Sequence, residues 1–436
     1  MEFREFILLH DVDDIASLAL QRDRWCADVP DWDLALSTLQ ARRKLRSKLP
    51  SWYAVPSLHY PLPLSAEQCS SEETALYKAS IICNHANEKR SRCCVPKTVP
   101  PTAHVWEGPI ARDGRDEDGV RGFRNTIPAP ERIADLTGGL GVDAWAFSRV
   151  CEKVLYNEMK PELVAAAEHN FKELGVKNVV IRNSVVEKGK VKEILGDFKA
   201  DVIFLDPARR DDVGRKVFML EDCSPNVLEL LPELYEACHK IMLKLSPMAD
   251  ITAVCRQLPG VKEVHVVEAD GECKELLMML EKGYEGTPGM FLYANGTMEE
   301  IPDQVGNDGA LGGNDKVLFV PGKGLMKTGA FWWPETFGLR QLAASTHMYI
   351  GSAKVPELEP FGKFYKIVET VPLSNKTIKE IGKKYPEADV TARNIPITSD
   401  ELRKRLGVKP SDGTVHIFGT SGSDQGRMLI VSVISK

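Results

Sequence analysis

The segment Asp135-Leu136-Thr137-Gly138-Gly139-Leu140-Gly141 decides the fold of this chain. It lies between a short apolar stretch that begins at Ile133 and a predicted helix over Val142–Val150. Glycines at the point where a strand gives way to a helix permit a tight turn and let a ligand approach bare backbone. The segment therefore predicts the cofactor-binding loop of an α/β domain.

Strands and helices alternate on the C-terminal side of this loop. Short apolar stretches predict strands at Ile133–Leu136, Lys153–Asn157, Val179–Ile181, Val202–Leu205 and Ile241–Leu245, with a helix over Pro161–Leu174. Such a succession predicts a Rossmann-like parallel sheet with helices on both faces. A strand at Val264–Val267, a helix around Lys274–Leu280 and a strand at Met290–Tyr293 are expected to complete the sheet.

The regions on either side of the sheet domain have a different texture. Residues 1–125 are predicted to be mostly helical, with one helix after Asp31 and another from Ser70-Ser71. Residues 126–298 form the predicted sheet domain, 299–360 a small α+β module and 361–436 a second α+β module. The small module is expected to read strand, helix, strand, at Val317–Val320, near Gly338–Ala343 and at His347–Ile350. In the last module Thr398-x-x-Glu401 predicts a capping box.

Composition limits the class of protein. Of the 436 residues, 43% are hydrophobic and 27% charged, which excludes a largely disordered chain. No uncharged apolar run approaches the roughly 20 residues of a membrane-spanning helix. The first residues, Met1-Glu2-Phe3-Arg4-Glu5, carry acids where a signal peptide is apolar. Ten cysteines in such a chain are expected to be reduced thiols, so we expect a cytoplasmic protein with no membrane partner.

Charge is spread unevenly along the chain. The net charge is −6, but residues 363–436 carry 13 Lys/Arg and 8 Asp/Glu, a net charge of +5, and residues 1–362 therefore carry −11. A basic end module on an acidic body is weak evidence for an anionic partner such as RNA. A solvated basic helix face explains the same charge equally well.

Electrostatics favours one cofactor over another at the glycine loop. Gly139-x-Gly141-x-x-Ala144, followed by Glu158, fits a dinucleotide fingerprint and fits a nucleoside cofactor without phosphates equally well. Asp135, at the carboxyl end of the strand, repels a diphosphate and attracts an ammonium group. S-adenosylmethionine has an α-ammonium and a sulfonium but no phosphate, and a carboxylate at Glu158 can accept both ribose hydroxyls. These two acids favour the methyl donor over a nicotinamide cofactor.

With these residues the chain resembles the class I S-adenosylmethionine-dependent methyltransferases. Asn183-Ser184 follows the third strand, where such enzymes contact the adenine, although Ser184 replaces the usual acid. Asp206-Pro207-Ala208-Arg209-Arg210 follows the fourth strand, at the position of the catalytic motif. The resemblance implies a cofactor site of Asp135, Thr137, Gly138, Gly139, Gly141, Glu158, Asn183 and Ser184. It implies catalytic roles for Asp206, Pro207 and Arg209.

The loop after the fourth strand departs from the pattern of enzymes that methylate base amino groups. Ala208 and Arg209 stand where a proline and an aromatic residue are typical. Methylation at pyrimidine C5 requires a cysteine nucleophile, and the segment after the fifth strand has Ser246 instead. A cysteine nucleophile would be available only if Cys223 or Cys273 folded back into the site. N-methylation of an exocyclic amine is therefore favoured.

The predicted roles in amine methylation fall on three residues of this loop. Asp206 is expected to accept the N–H of the amine, while Arg209 and Arg210 bind a flanking phosphate or orient Asp206. Alternatively, the two arginines pair only with Asp211 and Asp212 at the surface.

More of the chain is similar to a narrower group, bacterial methyltransferases with a C-terminal THUMP-like domain preceded by a ferredoxin-like module. The motifs that carry this resemblance include Lys48–Trp52, Gln68–Ser71, Lys244–Met248, Glu272–Glu275, Phe337-Gly-Leu with Thr346-His347, and Thr391–Pro396. The resemblance implies methylation of structured RNA such as tRNA or rRNA. Arg403-Lys404-Arg405 is expected either to contact the RNA backbone or to be a solvated helix face.

Two further functional classes stay open from the sequence. The acceptor is alternatively a small molecule or a protein, and a catalytically idle RNA-binding protein that senses the donor also fits. No metal is expected, because Cys83-x-His85 with Cys93-Cys94 has no recognised zinc spacing.

Overall fold

The computed structural model describes residues 1–27, 29, 31–86, 132–209, 220–302, 316–343, 345–411, 413–422 and 426–434. The chain forms two compact units. The first comprises Met1–Glu263 with Leu276–Pro288, and the second comprises Val264–Glu275 with Gly289–Lys436. The finer division into four regions stays a prediction.

The front of the chain is helical, as predicted. Its helices are α1 (Phe3–His10), α2 (Ile15–Ala19), α3 (Arg22–Trp25), α4 (Trp32–Lys48), α5 (Pro50–Tyr53), α6 (Pro63–Gln68) and α7 (Glu72–Ala86). The Asp31 side chain caps α4 by accepting a hydrogen bond from the Leu34 amide at 3.0 Å. Pro50 has no amide hydrogen to continue the ladder of α4, and it occupies the first turn of the next helix instead.

The elements after the glycine loop build the expected α/β domain. Its strands are β1 (Arg132–Asp135), β2 (Lys153–Asn157), β3 (Val179–Arg182), β4 (Val202–Leu205), β5 (Ala208–Arg209), β6 (Cys223–Ser224), β7 (Lys240–Leu245), β8 (Val261–Ala269), β9 (Glu272–Glu281), β10 (Gly289–Ala294) and β11 (Thr297–Ile301). Its helices are α8 (Val142–Ser148), α9 (Pro161–Glu173), α10 (Val191–Leu195), α11 (Val227–Ala237) and α12 (Ile251–Gln257).

A nine-stranded sheet within the described residues has the order β11-β10-β8-β9-β7-β4-β1-β2-β3. Strands β3, β2, β1, β4 and β7 are parallel, and β1 pairs with β2 on one side and with β4 on the other. The order of the strands therefore reverses between β1 and β4. In open α/β sheets, ligands bind beyond the carboxyl ends of the strands at such a switch point. The fold therefore brings the glycine loop and the segment after β4 to the same edge.

One predicted helix is a strand. The segment predicted as a helix around Lys274–Leu280 is part of β9, which pairs antiparallel with β7. Leu276–Leu280 is a continuous apolar run that is buried throughout, so its periodicity does not distinguish a helix from a strand. The sequence signal for a strand lies in the turn between β8 and β9, where Asp-Gly is typical of a hairpin. Asp270-Gly271 adopts positive φ at both residues, 52° and 69°, as a tight hairpin requires.

The second unit contains a seven-stranded sheet within the described residues. Its strands are β12 (Val317–Pro321), β13 (Arg340–Gln341), β14 (Tyr349–Gly351), β15 (Gly362–Pro372), β16 (Asp389–Ala392), β17 (Val415–Gly422) and β18 (Gly426–Ile434), and the helices of this part are α13 (Lys323–Thr328), α14 (Asn375–Lys384) and α15 (Ser399–Leu406). The order is β13-β14-β12-β15-β18-β17-β16. The two predicted small α+β modules thus share one sheet.

A second predicted helix, near Gly338–Ala343, is also wrong. A 3₁₀ turn over Trp333–Phe337 ends at Gly338, which has a φ of 80°, and the chain then forms the short strand β13. A residue in the left-handed region ends a helical turn, so the chain cannot continue as a helix through this glycine. The segment is too short for a helical period to be measured.

Two helices, α14 and α15, pack together in the last module. Thr398 and Glu401 form the predicted capping box of α15, and Gly407 ends this helix with a φ of 71°. Helix α14 crosses α15 closely, because a β-carbon on Gly382 would overlap the backbone carbonyl of Leu406. This crossing buries leucine and isoleucine side chains of both helices against the sheet.

The close crossing yields a stability test. Gly382→Ala is expected to lower the free energy of unfolding by about 2–3 kcal/mol, because the added methyl group forces α14 and α15 apart. Lys383→Ala, on the exposed side of the same helix, is expected to change it by less than about 0.5 kcal/mol. Urea unfolding of both variants measures this difference, and equal stabilities would contradict the crossing.

Candidate functional site

The glycine loop connects β1 to α8 and is held by the second strand. The Gly138 amide donates to the Asn157 carbonyl at 2.7 Å, and the Tyr156 hydroxyl donates to the Gly139 carbonyl at 2.6 Å. A β-carbon on Gly138 would overlap the Tyr156 ring, and one on Gly141 would lie 2.7 Å from Phe171. These two glycines are therefore required by the packing of the protein itself. Gly139 differs from them, because a β-carbon added there would have no described atom within 4 Å, and its φ is 53°.

Asp135 is the last residue of β1 and is only 1% exposed. Its Oδ1 atom accepts a hydrogen bond from the Thr137 amide at 3.1 Å. Its Oδ2 atom is buried and has no hydrogen-bond partner among the described residues. Burial, followed by the negative charge of Asp143, raises the pKa of Asp135 well above its usual value. A cationic donor beside Oδ2 would satisfy this oxygen and favour the ionised form of the carboxylate.

Glu158 follows β2 and is also buried. Its two carboxylate oxygens each accept one backbone hydrogen bond at 3.0 Å, from Gly139 and from Lys160. Each oxygen keeps a further lone pair, because a carboxylate offers about four acceptor sites in all. The carboxylate is thus fixed against the glycine loop and can still accept two hydroxyl groups.

Two asparagines tie the ends of neighbouring strands together. Asn157 donates from its side-chain amide to the carbonyls of Leu136 and Ser184, both at 3.0 Å. Asn183 donates to the carbonyl of Glu158 at 2.7 Å. The predicted residue Asn183 therefore orients the backbone around Glu158, and Ser184 offers its carbonyl to Asn157.

Asp206 follows β4 and is held from two sides. Its amide donates to the Thr137 hydroxyl at 2.7 Å, which links the segment after β4 to the glycine loop. Its Oδ2 atom forms an ion pair with the ammonium group of Lys244 on β7. The Asp206 side chain is about one-third exposed, so one face of the carboxylate stays accessible. Lys244 was part of a motif in the sequence, but no role was predicted for it.

A buried ion pair joins the front helices to the same loop. Lys78 on α7 is completely buried, and its ammonium group lies 3.1 Å from the Asp143 carboxylate in the first turn of α8. The Ser70 hydroxyl donates to Asp143 at 2.8 Å and accepts from Lys78 at 3.0 Å. No sequence pattern indicated this pair, because residues 78 and 143 are far apart in the chain. The one available signal was a lysine within an otherwise apolar face of α7.

Not every predicted residue joins this cluster. Arg209 lies on β5, with its backbone paired to Cys223 on β6, whereas Arg210, Asp211 and Asp212 lie outside the described residues. Arg403, Lys404 and Arg405 lie on α15 in the second unit, where Arg403 forms an ion pair with Asp400.

The two cysteines considered as nucleophiles are unsuited to that role as they stand. Cys223 is fully buried and forms no disulfide, although its strand adjoins the segment after β4. Cys273 belongs to the second unit, and burial raises the pKa of its thiol to about 11. A thiol with a raised pKa is a poor nucleophile, because the thiolate is the reactive form.

The described residues contain no metal-binding cluster of three or more His, Cys, Asp or Glu side chains. Most of the cysteine and histidine side chains of the segment 83–94 lie outside the described residues. The prediction that this segment binds no metal therefore stays a prediction. None of the helices in the described ranges is both long and apolar enough to cross a membrane.

Negative charge dominates the edge where β1, β2 and β4 end. Four carboxylates lie there, on Asp135, Asp143, Glu158 and Asp206, whereas two ammonium groups, on Lys78 and Lys244, each pair with one of them. A diphosphate at this edge would be repelled, since like charges in a partly desolvated site interact strongly. The arrangement suits a ligand with a cationic group and hydroxyls to donate.

Comparisons with known proteins agree with this architecture. Residues 362–432 match the family model described as THUMP domain-like. The whole chain is similar to a solved structure described as a "putative methyltransferase" from Porphyromonas gingivalis W83. The sequences are 25% identical, the TM-score is 0.75, and the match covers 100% of this chain and 98% of that one. The predicted resemblance to methyltransferases with a C-terminal THUMP-like domain is confirmed.

Other solved structures match only part of the chain. A ribosomal protein L11 methylase from Lactobacillus delbrueckii subsp. bulgaricus is 17% identical over 36% of this chain and 72% of its own. A SAM dependent methyltransferase from Aquifex aeolicus is 21% identical over 34% of this chain and 82% of its own. Both have a TM-score of 0.26, which is too low to support an inference. No curated protein matches the sequence.

The burial of Asp135 predicts how stability depends on pH. Asp135→Asn, without added ligand, is expected to raise Tm at pH 7 by about 2–4 °C, because it removes a buried carboxylate with one unpartnered oxygen. A raised folded-state pKa means that the folded chain holds the proton more tightly than the unfolded chain. The gain therefore grows as pH rises above the usual value of 3.8 and vanishes below it.

Thermal unfolding between pH 3 and pH 8 measures this effect. Asp197→Asn, at an exposed residue, is the matched control and is expected to leave Tm unchanged at every pH. A variant at position 135 that is less stable than the natural chain at pH 7 would show that the carboxylate has a stabilising partner.

Proposed function

We propose that this protein is an S-adenosylmethionine-dependent methyltransferase that modifies a base of structured RNA. One observation carries the cofactor part of this proposal. The buried Oδ2 atom of Asp135 lacks a hydrogen-bond partner among the described residues, beside the open face of Gly139 and the carboxylate of Glu158. A buried acceptor without a donor costs free energy unless a ligand supplies one.

The residues present fit this donor one by one. Asp135 accepts from the α-ammonium group, and the free lone pairs of Glu158 accept the two ribose hydroxyls. The bare backbone at Gly139 lets the ligand approach closely, and the segment Asn183-Ser184 borders the place of the adenine. When bound, S-adenosylmethionine supplies an activated methyl group on a sulfonium. The protein supplies the orientation, which is the main catalytic requirement for an in-line displacement.

Asp206 and Lys244 support an amine as the acceptor. The accessible face of the Asp206 carboxylate can accept an N–H bond and turn the nitrogen lone pair toward the methyl group. Lys244 and Thr137 fix the position of Asp206, so the carboxylate does not need to reorganise during the reaction. Pro207 follows directly and restricts the backbone of the same segment. We infer that the product is an N-methylated exocyclic amine.

The C-terminal module supports RNA as the acceptor. The match to the THUMP domain-like model falls on residues 362–432, within the part of the chain whose net charge is positive. A basic module attached to an acidic catalytic unit favours a polyanionic substrate, and tRNA or rRNA is the class we propose. The cysteines among the described residues are free thiols, which fits the cytoplasm as the place of action.

Donor binding tests the cofactor assignment. Asp135→Asn and Glu158→Gln are each expected to weaken S-adenosylmethionine binding by about 10- to 100-fold, because each removes charge from a group that accepts hydrogen bonds from the ligand. Isothermal titration calorimetry of the full chain measures the dissociation constants. Glu236→Gln, at an exposed position in the last turn of α11, is the control. Absence of heat with the natural chain, or unchanged affinity in both variants, would refute the cofactor assignment.

Methyl transfer tests the acceptor assignment. Asp206→Ala is expected to lower kcat by about 100-fold or more while donor affinity changes by less than about threefold, since Asp206 is proposed to touch the acceptor only. Radiolabelled methyl transfer to total RNA from a strain that lacks the gene measures the rate, and nucleoside mass spectrometry identifies the product. Equal modified-nucleoside profiles of RNA from the strain with the gene and the strain without it, with intact donor binding, would favour a non-RNA acceptor or an idle donor-sensing protein.

A further inference from the structure

Two motifs of the second unit have no role in the site described above. The loop that ends at His347 and the segment after β16, Arg393-Asn394, contact each other. Arg393 donates to the His347 carbonyl at 3.5 Å, and the Asn394 amide donates to the Ser345 hydroxyl at 2.6 Å. The Ser421 hydroxyl donates to the Asn394 carbonyl at 2.8 Å. We call these residues, Ser345, His347, Arg393, Asn394 and Ser421, the Arg393 cluster.

The guanidinium of Arg393 is half-buried without a counter-charge. No carboxylate of the described residues lies within ion-pairing distance of it, and the long bond to the His347 carbonyl uses one of its five N–H groups. Burial lowers the pKa of Arg393 from its usual value, which reflects the cost of keeping this charge away from water. Fully buried charges in proteins are normally paired, and a half-buried guanidinium without a carboxylate partner among the described residues is a candidate for binding an anion.

Backbone conformation marks the same place. Within the described residues, four non-glycine residues have positive φ: Asp270, Asn295, His347 and Asn394. Asp270 and Asn295 each precede a glycine in a hairpin turn, where this conformation is ordinary. His347, at 47°, lies in the loop that connects the antiparallel strands β13 and β14, and Asn394, at 55°, follows β16; the two residues meet in the Arg393 cluster. Asparagine and histidine are among the residues that adopt this conformation most readily, so the conformation locates the contact between the two segments.

The histidine of the cluster is poised as a neutral hydrogen-bonding group. Its ring stacks on Phe331 with 3.8 Å between the ring centroids, and its buried Nδ1 atom has no hydrogen-bond partner within the described part of the chain. Burial and the nearby charge of Arg393 lower the pKa of His347. The imidazole is therefore uncharged near pH 7, and Arg393 is the charged group that recognises the ligand.

We propose that the Arg393 cluster binds a phosphate of the RNA backbone, with the Arg393 guanidinium contacting two phosphate oxygens. This inference rests on the proposed function and names the contact that function requires in the second unit. The planar fork of arginine matches the oxygen pair of a phosphodiester, and the polar side chains beside it can complete the shell. An acidic peptide is a different partner class, which the sequence gives no reason to prefer over RNA.

The helix predicted to contact RNA is the weaker candidate. On α15, Arg403 already pairs with Asp400, and the first turn also carries Glu401 of the capping box. The charge of that helix is therefore mixed, and its cations lie in solvent, where ion pairs contribute little. Arg393 differs because its charge is partly desolvated and lacks such a partner among the described residues.

Binding of a labelled RNA to the full-length chain tests this assignment. The probe is a fluorescein-labelled single-stranded RNA of about 20 nucleotides and random sequence, because a phosphate contact does not depend on the bases. Arg393→Gln is expected to weaken binding at least about tenfold at about 100 mM KCl and to reduce the slope of log K against log salt by about 0.7–1. Lys376→Met removes one exposed charge from α14 and is expected to change affinity less than about twofold.

Thermal unfolding separates a binding role from a structural one. Arg393→Gln is expected to keep or raise Tm, because it removes a half-buried charge that has no partner among the described residues. If this variant does not fold, Arg393→Lys keeps the charge and is expected to lose at least about threefold in affinity, since an ammonium does not hold two oxygens in a fixed fork. A variant that folds and binds RNA as tightly as the natural chain would overturn the site while leaving RNA as the acceptor.

Two other outcomes would contradict the proposed function as well as the Arg393 cluster. If the natural chain binds no RNA, both the RNA part of the proposed function and this site are wrong. The titration with S-adenosylmethionine still tests the cofactor assignment independently. If poly-glutamate competes with the RNA as well as an equal concentration of unlabelled RNA does, and does so through Arg393, the cluster recognises acidic proteins instead.

Discussion

The first unit depends on a carboxylate held out of water at the end of β1. Asp135 sits where two parallel strands flank it, and only one of its oxygens is satisfied within the described residues. The glycine loop turns around this group. The Tyr156 ring occupies the space that a β-carbon on Gly138 would need, and the Glu158 carboxylate accepts a hydrogen bond from the Gly139 amide. Each contact preserves the turn without neutralising Asp135. The architecture thus leaves an unsatisfied carboxyl oxygen, and a cationic ligand beside it would favour the ionised form of this group.

The front helices take part in the same electrostatic balance. Among neighbouring acids, Asp143 has the largest effect on Asp135, and it would raise the cost of that carboxylate further if it were unpaired. Lys78 supplies a buried positive charge against Asp143, and Ser70 bridges the two. Because Lys78 and Ser70 come from the N-terminal region, that region is part of the site's chemistry as well as of its packing. Removing the ammonium group of Lys78 from the folded chain would leave the Asp143 carboxylate without this partner.

Local signals in the sequence were sufficient for much of the fold. Strands β1 to β4, the glycine loop and the capping box of α15 were predictable, since each depends on neighbouring residues. The helix predicted around Lys274–Leu280 was wrong because a buried apolar run has no helical or strand period to read. The partners Lys244 and Lys78 were missed for a different reason. An ion pair between residues distant in sequence exists only after the fold brings its members together.

The two candidate sites follow the same physical principle with opposite charge. In the first unit a buried carboxylate has an unsatisfied oxygen, and in the second a half-buried guanidinium has no carboxylate partner, in both cases among the described residues. Each reduces the stability of the isolated chain, and each gives a ligand of opposite charge more to gain than a solvated ion would. A methyl donor is a cation and RNA is a polyanion. The proposed function would place these two ligands of opposite charge on different parts of the fold.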